Sequence, residues 1–394
     1  MNQVSTFIFD SYEFDALNAR IYLRYAFDDG MEFEEVLTLP DTAFTNTDPE
    51  LLNRALLGLH LIAGISYYKA TCPKQIKILS GELTPDQATF WNKLYTQGLG
   101  EFFYKNDLDF RDLIHFPSTP NEFPFLIKTK NLKLKTLLPF GGGKDSYVSL
   151  KMLEEKGQEF TPFVLGEHPQ ILNFLEKIHQ KPLLIKRHID PKLFELNKAG
   201  ALNGHIPISA TIAFLTIVVA ALYDFDEIVL SNEKSANQGN TTLHGIDINH
   251  QYSKSLEFEQ DFSNYVRDFI TPDIKYYSLL RPYTELEIAE KFSKYPEALS
   301  LFTSCNRNFR VNGPRPNTLW CSDCPKCAFV FLMLAPFVSR PKLIEIFGKD
   351  LLNDLALKST YAELRGEQGI KPFECVGTPE EVKEAFALLS PHQS

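Results

Sequence analysis

The stretch KTLLPFGGGKDS, residues Lys135–Ser146, decides the fold of this chain. Its first half, Lys135–Phe140, is a short apolar run typical of a buried strand, and three glycines follow it. A helix is predicted over Ser146–Glu155. The glycines let the backbone turn tightly and approach a ligand without a Cβ in the way. A strand, a glycine-rich turn and a helix in this order predict an anion-binding loop at a helix N-terminus.

The composition of this loop fits a phosphate ligand that is accompanied by a metal ion. The loop consists of Gly141, Gly142, Gly143, Lys144, Asp145 and Ser146. Its lysine adds a charge, and its serine adds a hydroxyl donor to the amide groups of the helix N-terminus. Asp145 would repel a phosphate by itself but suits a Mg²⁺ ion that bridges phosphate oxygens. The spacing differs from the Walker loop and from the dinucleotide fingerprint G-x-G-x-x-G. A plain glycine-rich turn that caps a helix is the alternative.

Strand-like and helix-like segments alternate downstream of the loop. Strands are predicted at Thr161–Leu165, Leu183–Ile185 and Glu227–Leu230, and helices near Ile171–His179 and over Ile206–Tyr223. This alternation predicts a parallel sheet with helices on both faces, which defines the α/β class. Ligands bind such sheets beyond the carboxyl ends of the strands. Functional residues are therefore expected in the loops that follow the strands.

The region before the loop is predicted to form a smaller α+β domain. Its predicted elements are a β-hairpin of Ala19–Phe27 and Met31–Leu39, a helix over Pro49–Tyr68 capped by Asp48, a strand at Lys77–Leu79 and a helix that begins at Thr84-Pro85. Several prolines and polar residues make Phe116–Lys133 a predicted connector. The predicted domains are therefore 1–125, 130–300 and 301–394.

Composition and charge narrow the functional classes. The 394 residues carry a net charge of −10, and 44% of them are hydrophobic, which is ordinary for a globular protein. The acidic balance argues against broad electrostatic binding of nucleic acid. No signal peptide is evident at the N-terminus, and polar Ser209, Thr211 and Thr216 interrupt the apolar run Ile206–Tyr223. That run is predicted to be a buried helix, so we expect a cytoplasmic protein without membrane insertion.

The cysteines predict a metal site. Cys321, Cys324 and Cys327 form a C-x-x-C-x-x-C motif, and Cys305 is the predicted fourth ligand. Such clustering is typical of a reduced intracellular protein rather than of a secreted one. A tetrahedral zinc ion takes four thiolates, and an iron–sulfur cluster also takes four, often with this spacing. Free buried thiols are a third interpretation, and they are the one we favour for the two remaining cysteines.

The glycine-rich loop is the first of several sequence motifs that follow one another along the chain. The loop at 141–146 resembles the pyrophosphatase loop S-G-G-x-D-S of the PP-loop ATPases, with Gly141 in place of the first serine. Six motifs follow it in order: L-N-G-H-I-P from Leu202, S-N-E-K-S-A-N-x-G-N from Ser231, N-H-Q-x-S-K-S-L-E-F-E from Asn249, S-L-L-R-P from Ser278, C-N-R-x-F from Cys305 and W-C-x-D-C-x-K-C from Trp320. Together they cover roughly residues 130–345 and resemble the bacterial UDP-N-acetyl-α-D-muramoyl-L-alanyl-L-glutamate epimerase family.

The resemblance implies a fold and an activity. The fold is a PP-loop ATPase (HUP-like) domain, preceded by the smaller α+β domain and followed by a zinc knuckle and helices. The activity is an ATP-dependent conversion of the terminal L-Glu of UDP-N-acetylmuramoyl-L-Ala-L-Glu to D-Glu in peptidoglycan precursor synthesis, with Mg²⁺ and with release of AMP and diphosphate. Zinc is favoured because PP-loop proteins such as 7-cyano-7-deazaguanine synthase carry a comparable knuckle. A ligase or tRNA thiolase of the same superfamily is the alternative, and a nucleotide-binding regulatory module is the non-enzymatic one.

The resemblance also directs attention to residues in the polar loops. Nine of the ten residues in Ser231–Asn240 are polar or glycine, which favours a binding loop. Predicted acid/base groups are His205, Glu233, His244 and His250. Predicted substrate contacts are Ser231, Asn232, Asn240, Arg281, Asn306 and Arg307, and the arginines suit a phosphate or a carboxylate. Hydrogen bonding within loops is the alternative for the histidines and asparagines, metal binding is the alternative for Glu233, and Cys305 has a rival role as a thiol acid/base group.

Overall fold

The computed structural model describes residues 4–120, 134–310 and 314–389, so most of the predicted connector Phe116–Lys133 lies outside the described residues. The chain forms two compact units, each assembled from separate segments. The first unit contains the chain up to Leu137 together with Leu183–Ile228 and Tyr252–Tyr277. The second contains Leu138–Pro182, Val229–Gln251 and the chain from Ser278 onward. The loop at 141–146 and the cysteine motif therefore belong to one unit.

The two units are built from both helices and strands. The strands are β1 (Thr6–Asp15), β2 (Arg20–Phe27), β3 (Glu32–Thr38), β4 (Gln75–Ile78), β5 (Thr136–Pro139), β6 (Phe160–Leu165), β7 (Leu183–His188), β8 (Glu227–Leu230), β9 (Thr241–Leu243), β10 (Ile246–Ile248) and β11 (Lys275–Ser278). The helices are α1 (Pro49–Ala63), α2 (Ile65–Tyr68), α3 (Pro85–Gly98), α4 (Gly100–Lys105), α5 (Lys144–Glu155), α6 (Pro169–Lys177), α7 (Pro191–Lys198), α8 (Ile208–Tyr223), α9 (Leu256–Phe269), α10 (Glu285–Ser293), α11 (Pro325–Leu334), α12 (Arg340–Phe347), α13 (Lys358–Leu364) and α14 (Pro379–Leu388).

The first unit contains strands in the order β7-β3-β2-β1-β4. β2 is antiparallel to β1 and β3, β3 is antiparallel to β7, and β1 runs parallel to β4. Alternate residues of β2 point to opposite faces, so that Ile21, Leu23 and Tyr25 are buried. The predicted β-hairpin is confirmed as β2 and β3. β1 is not among the predicted elements, although its buried Phe7 and Phe9 have the two-residue period of a strand.

The strands that surround the glycine-rich loop lie in the order β11-β8-β5-β6. β5 and β8 pair in parallel. β11 is also parallel to β8, because the N–H of Lys275 donates to the carbonyl of Asp226 and, four residues on, Leu279 donates to Leu230. β5, β6, β8 and α5 confirm the predicted elements in this part of the chain. The α/β class is therefore confirmed as a mixed α/β architecture, and the loops after β5 and β8 both begin at the carboxyl ends of parallel strands.

Helix α8 is the predicted buried helix. Nearly all of its side chains are buried, and it ends at Asp224, whose φ of 60° is left-handed. It packs against α1, where a Cβ on Gly58 would come within 2.7 Å of the Phe214 ring, so only glycine permits this approach. None of the helices in the described part of the chain combines the length and the apolar character that a membrane span requires. The predicted helix over Pro49–Tyr68 is divided into α1 and α2, and Asp48 caps it as predicted.

His60 in α1 is a buried histidine whose surroundings keep it neutral. Its ring packs against those of Phe9 and Tyr25. Its Nε2 lies 3.0 Å from the carbonyl oxygen of Arg24, which only accepts hydrogen bonds. Nε2 therefore donates, and Nδ1 accepts from the Ser80 hydroxyl at 3.1 Å. Burial lowers the pKa of His60 to about 4.

Acid is therefore expected to destabilise the protein through His60. An unfolded histidine titrates near pH 6.5, so between that pH and about 4 the unfolded chain binds a proton that the folded chain does not. The contribution of His60 therefore lowers the free energy of unfolding as the pH drops through this window, by about 3 kcal/mol in total. Denaturant titrations between pH 7 and pH 4 should show this extra loss in the wild type but not in His60→Gln. An exposed-site control, His115→Gln, should follow the wild type, and equal pH dependence in all three proteins would contradict the assignment.

Candidate active site

The loop after β5 has the geometry of an anion-binding turn. Gly142 has a φ of +74°, and a Cβ there would also lie 3.1 Å from Ile171, so the turn requires glycine at this position. Gly143 is the N-cap of α5 and carries no side chain that caps the helix. The N-cap residue itself therefore does not satisfy the first amide groups of α5, and the helix dipole favours an anion there.

The charged side chains of the loop are engaged with one another and with α10. The ammonium group of Lys144 is buried and contacts the carboxylates of Asp145 and Glu285. Burial opposes its charge, but the two carboxylates outweigh that effect and raise the pKa of Lys144. Ser146 donates its hydroxyl to the carbonyl of Gly143 at 3.0 Å. A phosphate would therefore share Lys144 with two carboxylates, and the side chain of Asp145, at 27% exposure, is more accessible than those of Lys144 and Glu285.

The glycine-rich loop lies directly against the segment that leads to the cysteines. The N–H of Thr303 donates to the carbonyl of Gly142 at 3.0 Å. The N–H of Cys305 in turn donates to the Thr303 hydroxyl at 3.2 Å. Thr303 therefore links the glycine-rich turn to Cys305, the first predicted metal ligand, which lies two residues further along the chain.

Four cysteines form a compact cluster. The Sγ atoms of Cys305, Cys321, Cys324 and Cys327 all lie within 4.8 Å of one another. The separations from Cys327 to Cys321 and Cys324 are 3.6 and 3.5 Å. Tetrahedral zinc with Zn–S bonds of about 2.3 Å places its sulfur atoms about 3.8 Å apart, so the cluster fits a single four-coordinate ion. Cys324 is the N-cap of α11, where the helix dipole favours negative charge.

The protonation of these thiols also favours a bound cation. Hydrogen bonds from the thiols of Cys324 and Cys327 lower the pKa of Cys305 far below its ordinary value. Hydrogen bonding to Cys305 raises the pKa of Cys324 and Cys327. Four neighbouring sulfur atoms cannot all carry negative charge without compensation. A divalent metal supplies that charge, because thiolates are its ligands.

The loop after β8 carries the predicted residue Glu233 in a buried position. Arg281 donates from Nη1 to the carbonyl oxygen of Glu233 at 2.8 Å, so this predicted substrate contact also shapes the loop. Ser231 has a buried hydroxyl oxygen with no hydrogen-bond partner among the described residues. A buried hydroxyl of this kind favours a ligand contact at Ser231. Asn240 instead binds the backbone, donating to the carbonyl of Pro372 at 2.7 Å.

The three predicted histidines occupy different settings. His205 lies in the first unit, with Nδ1 3.6 Å from the buried carboxylate of Glu101. His244 is exposed at the tip of the β9–β10 hairpin, with a left-handed φ of 51°. His250 is half-buried in the second unit, where its N–H donates to Asn240 Oδ1 at 2.8 Å, and its ring is close enough to Glu374 to act on that carboxylate electrostatically. Of the three, His250 is the one in the same unit as the glycine-rich loop and partly enclosed.

Two predicted substrate contacts lie near the cysteines. Arg307 is 40% exposed, and its Nη1 lies 3.6 Å from the carboxylate of Asp323. Asn306 is exposed in the 3₁₀ turn Asn306–Phe309 that follows Cys305. Asn232 is half-buried next to Glu233.

Glu285 is a candidate site residue that none of the sequence motifs indicates. Its carboxylate is buried against Lys144, and its N–H donates to Glu381 at 2.9 Å. Thr284 and Glu287 form a capping box, a sequence signal that predicts the start of α10 and places Glu285 in its first turn. That signal gives no information about its partner Lys144.

The second unit thus defines a class of protein. It is an α/β protein with a glycine-rich turn and a helix N-terminus after a parallel strand, and with a cluster of four cysteines that could hold a metal ion beside that turn. Comparison with known proteins identifies the family: residues 1–279 match the MurL N-terminal domain, and residues 301–394 match the MurL C-terminal domain. The chain belongs to the MurL family.

Several curated relatives resemble the chain along its whole length. A protein of Xanthomonas oryzae pv. oryzae is 40% identical over 391 residues, which cover 99% of this chain and 86% of that protein. A Micromonospora protein is 39% identical over 396 residues, covering 99% and 88%, and a Salinispora tropica protein is 38% identical over 397 residues, covering 99% and 86%. Each is named UDP-N-acetyl-alpha-D-muramoyl-L-alanyl-L-glutamate epimerase. The resemblance to that family is confirmed.

Proposed function

We propose that this chain is an isomerase that converts the terminal L-Glu of UDP-N-acetylmuramoyl-L-Ala-L-Glu to D-Glu. The observation that carries the proposal is the name shared by three relatives that are 38–40% identical over 99% of the chain. The alternative of a PP-loop ligase or tRNA thiolase is not favoured, because these relatives are epimerases. The net charge of −10 also speaks against a tRNA substrate.

The reaction is proposed to use ATP and Mg²⁺ in a PP-loop type of domain. The uncapped start of α5 and the positive φ of Gly142 support binding of the diphosphate part of ATP at this turn. Mg²⁺ usually binds through one or two carboxylates together with phosphate oxygens and water, so Asp145 is a sufficient protein ligand. Because the reaction consumes ATP, a cytoplasmic location belongs to the same proposal.

Adenylation makes the proposed proton exchange chemically reasonable. Removing the α-proton beside an ionised carboxylate would place two negative charges next to each other. Transfer of AMP from ATP to that carboxylate releases diphosphate, removes the charge and lets the carbonyl delocalise the carbanion. A base then takes the α-proton from one face, and a proton is added from the other face. Water finally cleaves the acyl-adenylate to give AMP and the D-Glu product.

Roles for the acid/base groups follow from their settings. Glu233 is buried in the loop after β8, and we propose it as one proton-transferring group. His250 is proposed as another because it is half-buried in the same unit. His205 remains a candidate in the first unit, where Glu101 faces its Nδ1. His244 is the least favoured, because a hairpin tip offers no shielding from water.

Zinc is the proposed metal at the four cysteines. The sulfur separations of 3.5 and 3.6 Å fit a tetrahedral ion, and with four protein ligands the ion has no open position for a substrate. Its proposed role is therefore structural: it would fix Cys305, and with it the Thr303 segment that hydrogen-bonds the glycine-rich loop. In this role Cys305 is a ligand rather than an acid/base group.

The substrate requirement for AMP release tests the proposed function. The protein is incubated with ATP, Mg²⁺ and UDP-N-acetylmuramoyl-L-Ala-L-Glu, and AMP and diphosphate are measured. UDP-N-acetylmuramoyl-L-Ala, which lacks the terminal Glu, is the matched control. We expect AMP only with the dipeptide and without added ammonia or thiol donor. AMP release that depends on such a donor would instead support the ligase or thiolase alternative.

A further inference from the structure

Lys69 is a buried lysine of the first unit that lacks an acidic partner. It directly follows α2 and is 4% exposed. Its ammonium group donates to Asn203 Oδ1 at 2.8 Å, and it forms no ion pair with a carboxylate in the described parts of the chain. Burial lowers the pKa of Lys69 to about 8. An ammonium group that is held by one neutral amide is an uncompensated charge, which is costly inside a folded protein.

The amide that holds Lys69 belongs to the L-N-G-H-I-P motif, Leu202–Pro207. Asn203 is exposed, so the buried ammonium group lies directly beneath a surface side chain. Asn203 Oδ1 accepts a second hydrogen bond from the N–H of Gly204 at 2.9 Å, and the carbonyl of Asn203 accepts from Asn106 at 3.2 Å. The motif therefore forms a well-anchored surface loop, of which the proposed reaction uses just the histidine.

The titratable groups around this loop do not supply the missing negative charge. Burial raises the pKa of Cys72 to about 12, so its thiol is neutral, and it donates to the carbonyl of Lys69 at 3.6 Å. Glu101 is a buried carboxylate, but it is paired with Lys105 and lies 3.6 Å from Nδ1 of His205. An anion from outside the chain would compensate the charge of Lys69.

We propose that Lys69 and Asn203 form an anion-binding site that takes a phosphate or carboxylate group of the substrate. This inference rests on the proposed function for the identity of that substrate, UDP-N-acetylmuramoyl-L-Ala-L-Glu, which carries both kinds of group. An ammonium group has three N–H donors, and Asn203 uses one of them, so two remain for a ligand oxygen. Charge-assisted hydrogen bonds of this kind are stronger than those between neutral groups.

Two variants remove the site in different ways. Lys69→Met replaces the ammonium group by an apolar one, and Asn203 Oδ1 keeps its hydrogen bond from Gly204. Asn203→Asp retains the shape of the side chain and gives the ammonium group a permanent carboxylate partner. Because each change removes an uncompensated buried charge, we expect each to raise the melting temperature by about 2 °C or more. Loss of a lysine with a structural role would lower it instead.

Isothermal titration calorimetry without ATP measures the binding. The probes are UDP-N-acetylmuramoyl-L-Ala-L-Glu, UDP and the dipeptide L-Ala-L-Glu. In both variants we expect the Kd of the complete substrate to rise about 10- to 100-fold, the range of a hydrogen bond to a charged group. A matching rise for UDP identifies a phosphate as the bound group, and a matching rise for L-Ala-L-Glu identifies a carboxylate. Lys77→Met, at an exposed lysine of β4, is the matched control and should bind like the wild type.

The outcomes separate this site from the proposed function. A wild-type Kd in both variants would overturn the site. Weaker binding together with a lowered melting temperature in Lys69→Met would also overturn it, because that combination indicates a lysine that supports the fold. A wild-type protein that binds UDP or L-Ala-L-Glu through Lys69 but forms no D-Glu would refute the epimerase function and leave the site in place. D-Glu formation with an unchanged KM in Lys69→Met would refute the site and leave the function.

Discussion

Asp145→Asn is expected to reduce substrate-dependent AMP formation by about 10³-fold or more, since a metal that neutralises phosphate charge contributes several kcal/mol to such a step. The substitution keeps the shape of the side chain but removes the charge that would bind Mg²⁺. It also leaves Lys144 with its buried partner Glu285, so the start of α5 should be preserved. AMP release measured at saturating Mg²⁺ with the dipeptide substrate checks this result.

The control for this variant is Asp268→Asn. Asp268 is paired with Arg267 at the end of α9, and both side chains are largely exposed. Its replacement should leave AMP release at the wild-type rate. Wild-type turnover in Asp145→Asn, together with an unchanged requirement for Mg²⁺, would refute the assignment of Asp145 as the metal ligand.

Cys327→Ser is expected to eliminate the bound metal and to lower the free energy of unfolding by more than about 4 kcal/mol, because a structural zinc site contributes folding energy directly. Cys327 is fully buried and lies within 3.6 Å of two other sulfur atoms of the cluster. Its loss leaves three neighbouring thiols without a complete tetrahedral site. Elemental analysis of the purified variant and its thermal unfolding measure the two effects.

Cys72→Ser provides the matched control, because Cys72 lies outside the cluster. That variant should retain about one zinc per chain, as expected for a four-cysteine site. Iron with a brown colour in the wild type would reverse the assignment to zinc. A Cys327→Ser protein with full metal content and unchanged stability would contradict the structural role of the cluster.

Local sequence patterns predict much of the fold. The β2–β3 hairpin follows from the turn between two runs of β-branched and aromatic residues. The strand, loop and helix over β5 and α5 follow from an apolar run, three glycines and a helical pattern. The cysteine cluster is also predictable, because the three-residue spacing of Cys321, Cys324 and Cys327 brings their side chains together within one turn and the start of a helix. In each case the interacting residues are close in sequence.

Contacts between distant parts of the chain account for what the sequence does not predict. Lys144 and Glu285 are 141 residues apart, and Asn240 and Pro372 are 132 apart. No periodicity or spacing links such positions, since their contact depends on how strands and helices pack. The buried pairing of Lys144 with Glu285 and the hydrogen bond from Asn240 to the Pro372 carbonyl are therefore properties of the tertiary structure.

The chirality of the product tests the central claim most directly. UDP-N-acetylmuramoyl-L-Ala-L-Glu is incubated with the protein and Mg²⁺ in the presence and absence of ATP, the product is hydrolysed, and the released Glu is resolved into its enantiomers. The proposed function predicts that D-Glu accumulates only with ATP and in proportion to AMP. AMP without D-Glu, or D-Glu without ATP, would contradict it.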